Sequence, residues 1–211
     1  MTRSLITCRP GADDHDIATW LAGRIGAALA TTTERVAISL PGGSTPFPIL
    51  AALAQAAGDT LDLRRVVVWP GDDRMVPADH PASNYGRIFA ALAPMGIEVL
   101  PLEEQARPPH FTLVWLGMGE DGHIASLFPE ADPPIDDPLA VRRLTPNPLP
   151  PEAPFERLSL TMPALLDSDE LMFVIRGESK RALFEAAARG ENDLPVARLL
   201  AAASCPVTCF C

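Results

Sequence analysis

Asp121 and His123 stand two residues apart in Trp-Leu-Gly-Met-Gly-Glu-Asp-Gly-His-Ile-Ala-Ser-Leu-Phe-Pro, residues 115–129. An imidazole with a carboxylate able to orient it is the minimal pair for general-base chemistry near neutral pH. The apolar run Phe111 to Leu116 feeds a glycine-rich turn, Gly117 to Gly122, that carries both groups. A strand ending in such a turn delivers its polar residues to the carboxyl edge of a sheet, where open α/β folds bind ligands. The competing reading of this segment alone is a turn whose glycines serve sterics and whose histidine is merely exposed.

Two more strand-then-turn segments follow the same pattern. Val36 to Leu40 leads through Pro41 into Gly42-Gly43-Ser44-Thr45-Pro46, which reads as a turn before a helix with proline in its first turn. Backbone N–H groups at such a place favour phosphate, although neither Gly-x-Gly-x-x-Gly nor a Walker loop is present. Val66 to Trp69 leads into Pro70-Gly71 and then Asp72-Asp73-Arg74. Arg74 offers a fork of donors for phosphate, and Asp72 could hold a sugar hydroxyl or orient the arginine. Lys180 is the only lysine among 17 basic residues. A chain that otherwise uses arginine throughout and keeps one compact point charge marks that position as a further candidate for an anion.

Taken together these segments resemble the 6-phosphogluconolactonases, which share a fold with glucosamine-6-phosphate deaminases and ribose-5-phosphate isomerases. The resemblance rests on Gly42-Gly43-Ser44-Thr45-Pro46, Trp69-x-x-Asp72-Asp73-Arg74, Asp79-His80-x-x-Ser83-Asn84, the long stretch Leu116 to Pro129, Arg157-Leu158-Ser159-Leu160-Thr161 and Gly177-x-x-Lys180. It departs at Pro41, where a polar residue is usual, at Asp73 in place of glutamate, at Ile124 in place of threonine, and at Cys209 in place of an aromatic.

The resemblance implies hydrolysis of 6-phospho-D-glucono-1,5-lactone to 6-phosphogluconate in the oxidative pentose phosphate pathway. It needs no cofactor and no metal. It makes His123 the base on water and Asp121 its orienting acid. Gly42, Gly43, Ser44, Thr45, Asp72, Arg74, Arg157 and Lys180 become the residues around the sugar phosphate. A deaminase or isomerase on the same fold is the first rival. Those enzymes place a glutamate where this chain has Phe128, and phenylalanine moves no proton. A sugar-phosphate-sensing domain without catalysis is the second rival. It would keep the clamp and could discard the base, whereas this chain retains both Asp121 and His123.

A formal charge of −10 argues against nucleic acid or an anionic membrane surface as partner. Salt screens that global field beyond about 8–10 Å, so an anionic substrate depends on local cations. No apolar run reaches the roughly 20 residues needed to span a bilayer. Met1 to Pro10 lacks an export pattern, so a cytoplasmic protein is expected. Cys8 stands alone, and Cys205, Cys209 and Cys211 crowd the C-terminus without the paired spacing of a zinc site, so reduced thiols are expected.

The elements that must position these residues read as helices and strands in alternation. Asp13 caps a helix to about Ala30. Strands are expected at Val36–Leu40, Val66–Trp69, Glu98–Leu100, Phe111–Leu116, Arg157–Thr161, Leu171–Ile175 and Val207–Phe210. Further helices are expected at Phe47–Ala57, Asn84–Leu92, Ser179–Ala188 and Leu194–Ala203. Such alternation predicts a single α/β domain over 1–211, a mainly parallel twisted sheet with helices on both faces. Residues 129–154 are dense in proline and read as one long loop. Arg142-Arg143 within it could reach an anion or stay solvated. Monomer and dimer are equally compatible with the sequence.

Overall fold

The computed structural model describes residues 5–58, 61–147, 149 and 154–211. The expectations for Met1 to Ser4 and for Pro148 and Pro150 to Ala153 of the proline-rich segment lie outside the described residues.

Seven strands form one parallel sheet: β1 (Ile6–Arg9), β2 (Val36–Leu40), β3 (Val66–Pro70), β5 (Glu98–Val99), β6 (Leu113–Leu116), β9 (Leu171–Val174) and β10 (Val207–Phe210). Their order is β1-β10-β9-β6-β2-β3-β5, and every neighbouring pair is parallel. The strands β2, β3, β6, β9 and β10 are buried along their whole length. That is what continuous apolar runs require, because a parallel sheet is covered on both faces.

Successive side chains alternate between two cores. Val36, Ile38, Val66, Val68, Leu113 and Trp115 face the cluster built with α1 (Asp14–Thr31), α2 (Pro46–Ala57) and α3 (Asn84–Leu92). Ala37, Val67, Val114, Leu116, Phe173 and Cys209 face the other, built with α4 (Met162–Leu166), α5 (Glu178–Ala188) and α6 (Pro195–Ala202).

Local signals start the helices. Asp13 accepts from the Asp16 backbone N–H at 2.8 Å and Asp16 returns the bond to Asp13, a capping box that satisfies two first-turn donors. Ser83 caps α3 by accepting from Gly86 N–H at 3.0 Å.

The structure differs from or adds to the sequence reading at three points. First, Arg157–Leu160 is β8 of a separate antiparallel sheet, ordered β4-β8-β7, with β4 at Asp72–Arg74 and β7 at Val141–Leu144. Second, the proline-rich segment is therefore not one unbroken loop. Val141 to Leu144 carries no proline, so its N–H groups are free to pair with β8. Third, the N-terminal segment supplies β1, an edge strand in parallel register with β10. Its largely exposed pattern left no apolar alternation to read. Among the described residues no helix is long and apolar enough to cross a membrane.

Candidate active site

The chain passes from β2 to β3 on one side, while β6 lies against the opposite side of β2. This reversal of direction opens a crevice at the carboxyl ends of the strands. A cleft of ≈ 400 Å³ lies there. The turns after β2, β3, β6 and β9 all contribute to it, and the small sheet closes it with Arg74 and Arg157.

The turn after β6 is built to fix the histidine. Gly119 N–H donates to His123 O at 2.9 Å, and Gly122 N–H donates to Gly119 O at 3.2 Å with φ +79°. Met118 and Leu127 each bridge to Ile124, drawing the loop into two small ladders, and Ala125 between them takes φ +49°. That conformation is rare for a residue with a side chain and is held by the bonds around it. Asp121 Oδ1 lies 2.6 Å from His123 Nδ1 and also accepts the His123 backbone N–H at 3.2 Å. A neutral imidazole that donates Nδ1–H to a carboxylate has its lone pair on Nε2. The Phe128 ring covers the imidazole at 4.6 Å between centroids. A Cβ on Gly119 would stand 2.2 Å from both Nδ1 and Cε1, so only glycine leaves room for the ring.

Gly42, Gly43, Ser44 and Thr45 line the cleft beside this pair. Gly43 has φ +83°, and a Cβ on Gly42 would stand 2.0 Å from Asn84 Oδ1, so both glycines are needed for the turn. The helix that follows offers fewer donors than expected. Pro46 and Pro48 occupy its first turn and carry no N–H, which leaves Phe47 as the donor among its first three residues. The Thr45 side chain makes no capping bond. The donors this turn can offer are therefore those of the 42–45 loop and Phe47 rather than those of a full helix N-terminus.

Arg74 and Arg157 are register partners across β4 and β8. Arg74 donates to Ala82 O at 2.9 Å and to Asn84 Oδ1 at 3.3 Å, while its buried Nε has no partner. Arg157 is 3 % exposed. Burial, then the neighbouring Arg74 charge, pulls its pKa below the usual arginine value, against the pull of Asp72 and Asp73. An anion between the two guanidinium groups would relieve both effects. Lys180 Nζ donates to Met118 O at 3.0 Å and also lines the cleft.

The adjacent aspartates have different tasks. Asp72 is buried at the cleft wall, where it accepts Ser126 Oγ at 2.5 Å and Asn84 Nδ2 at 3.1 Å. Asp73 turns away from the cleft and accepts the backbone N–H groups of Arg74, Asn84 and Tyr85, together with Ser83 Oγ. It thus closes the first turn of α3. Burial pushes its carboxyl above the usual range, opposed by those three backbone donors.

All ten expected site residues lie in or against the cleft. Nine line it, and Asp121 stands behind His123. Sequence reasoning did not single out Asn84, Ser126, Phe128 or Arg176 as site residues, although all four line the cleft. Asn84, Ser126 and Phe128 stood inside the quoted motifs, and Phe128 also stood where related deaminases carry a glutamate. Ile124 is fully buried beneath the turn, so its exchange for threonine does not reach the cleft wall. Arg142 is held by Asp137, and Arg143 by Glu156 and Glu104, so both are engaged by carboxylates of the protein. The four cysteines are free thiols, and burial drives the Cys209 thiol well above its usual range.

Comparison with known proteins agrees with this architecture. Residues 12–106 and 97–207 match the family described as glucosamine-6-phosphate isomerases/6-phosphogluconolactonase. The 6-phosphogluconolactonase of Mesorhizobium japonicum is 32% identical over 94% of this chain and 92% of its own length. That of Pseudomonas putida is 35% identical over 85% and 78%. Among solved structures, the 6-phosphogluconolactonase of Shewanella baltica has a TM-score of 0.81 at 23% identity, covering 99% of this chain and 97% of its own. The Plasmodium vivax enzyme has a TM-score of 0.80 at 18% identity, covering 100% and 93%. At these identities the two structures establish a shared fold.

Proposed function

The chain belongs to the family of glucosamine-6-phosphate isomerases and 6-phosphogluconolactonases, and we propose that within it this protein hydrolyses 6-phospho-D-glucono-1,5-lactone to 6-phospho-D-gluconate. That reaction belongs to the oxidative pentose phosphate pathway. The observation that carries the reading is the His123–Asp121 pair, 2.6 Å apart, in a cleft whose other walls carry Arg74, Arg157 and Lys180.

A lactone carbonyl is already electrophilic, so the protein must supply an activated water, a fixed carbonyl and donors for the oxyanion. His123 Nε2 takes a proton from water as the water oxygen bonds to C1. Asp121 supports the imidazolium that results. Collapse of the tetrahedral adduct breaks the bond from C1 to the ring oxygen, and His123 returns its proton to that oxygen. Backbone donors of the 42–45 loop or the 117–122 turn serve the oxyanion. Arg74, Arg157 and Lys180 hold the phosphate, with Ser44 and Thr45 beside them. Anchoring that remote group aligns the reacting carbonyl, so clamp residues contribute to turnover as well as to binding.

Phe128 weighs against the aldose–ketose alternative. It occupies the face of the imidazole, and Asp121 on Nδ1 is the only carboxylate bonded to that ring among the described residues. Isomerisation needs a second group to carry protons between carbons. Both sheets contribute side chains to one cleft, which supports reading 1–211 as one domain. Four free thiols suit a reducing, cytoplasmic compartment.

The direct test generates the lactone in situ from glucose 6-phosphate and follows 6-phosphogluconate with a coupled dehydrogenase, subtracting spontaneous hydrolysis. Acceleration above background is expected. A rate equal to background overturns the reading.

A further inference from the structure

We propose that Arg176 is a further substrate-binding residue of this cleft, a second cation that joins Lys180 on the phosphate of the bound sugar and exchanges Asp14 for it. The inference rests on the lactonase reading above and adds a specificity determinant to it.

Arg176 stands two residues past the end of β9 and lines the same cleft as Val174 and Lys180. Gly177, with φ +91°, turns the chain between strand and α5, placing Arg176 and Lys180 on the two sides of one tight junction. The guanidinium reaches Asp14 Oδ1 at 3.0 Å and Ala12 O at 3.4 Å, both at the start of α1. It makes no other hydrogen bond among the described residues.

The contrast with other arginines is informative. Arg142 meets both oxygens of Asp137, and Arg198 is gripped by Asp193 and Asp132. Arg176 has one carboxylate contact through one nitrogen, and both side chains of the pair are more than 40% exposed (41% and 46%). Such a solvent-exposed pair is weak and readily exchanged for another partner. A phosphate dianion can take two parallel bonds from the same fork, an arrangement stronger than the single contact it replaces. The binding determinant is thus a singly paired, half-exposed arginine in the cleft that also holds Lys180.

The experiment compares wild type, Arg176→Gln, Arg176→Lys and Asp14→Asn by calorimetric titration with 6-phosphogluconate, with gluconate as the unphosphorylated control, alongside lactone kinetics. Arg176→Gln is expected to weaken 6-phosphogluconate about tenfold or more, the loss of one charge-assisted contact, and to raise KM by a larger factor than it lowers kcat. Arg176→Lys should recover part of the affinity. Asp14→Asn removes the same ion pair, and it should leave 6-phosphogluconate binding unchanged or tighter.

Unchanged binding in Arg176→Gln overturns the proposal. So does a loss of equal size in Asp14→Asn, which would make the pair a tether for α1. A wild type that hydrolyses the lactone while the variants behave in either of those ways removes Arg176 alone. A wild type that neither hydrolyses the lactone nor binds 6-phosphogluconate removes the lactonase reading itself.

Discussion

Gly119 leaves the space that the His123 imidazole fills: a Cβ at Gly119 would stand 2.2 Å from both Nδ1 and Cε1 of that ring and 2.6 Å from Asp121 Oδ1. The turn backbone and the His123–Asp121 pair are therefore one unit. Gly119 is not at a positive φ, so alanine fits the backbone and its methyl group displaces the ring instead. Gly119→Ala should lower kcat about tenfold or more with a smaller effect on KM, since the added methyl group meets the His123 ring and Asp121. Steady-state kinetics on the lactone check this, and an unchanged kcat would show that the ring need not sit where it does.

Asp121 Oδ1 lies 2.6 Å from His123 Nδ1, a position from which it orients the ring in the proposed hydrolysis. Asp121→Asn keeps the size and removes the charge. We expect kcat to fall about ten- to a hundredfold, short of the effect of losing the base, with KM near wild type. An unchanged kcat would exclude a role for the Asp121 carboxylate in turnover.

Asp73 closes the first turn of α3 through Asn84 N–H at 2.6 Å and Tyr85 N–H at 3.1 Å. Asp73→Ala leaves those donors without their acceptor. The expected loss is about 2 kcal/mol, or about 4–8 °C in Tm for a chain of this size. Calorimetry measures it directly. Activity should fall only as far as Asn84 and Arg74 shift.

His110 links the start of β6 to the segment before β9 through Asp167 at 2.6 Å and Asp169 at 3.0 Å. The hydrogen bond to Asp167, then that to Asp169, raises the His110 pKa above 6.5. A raised folded-state pKa means stability that is fully present below the unfolded value and lost as pH rises through the folded one. The Tm difference between wild type and His110→Gln should therefore be largest below about pH 6.5 and vanish in the alkaline range. A difference independent of pH would contradict protonation as its source.

Much of this was legible from the residues. Val36–Leu40, Asn84–Leu92 and Val207–Phe210 have the bounds that apolar runs and the Ser83 cap imply. The convergence of Gly42 to Thr45, Arg74, His123 and Lys180 follows from parallel strands sharing one carboxyl edge. The antiparallel sheet was not legible. β4 is Asp-Asp-Arg, three polar residues whose extended form is imposed by β8 and not by local preference. The division of labour between Asp72 and Asp73 was hidden for the same reason. Neighbours on a strand face opposite ways, and only the register with β8 says which way each one faces. Arg176 was hidden because a lone arginine after a strand reads as surface until the cleft around it is built.

The central claim is that His123 is the base of a lactone hydrolase. The most direct measurement is the rate of 6-phosphogluconolactone hydrolysis by His123→Ala beside wild type, with 6-phosphogluconate affinity determined for both. The expected result is a fall in kcat of about 10²–10⁴ with affinity retained within a few fold. A variant that hydrolyses the lactone near the wild-type rate would contradict it.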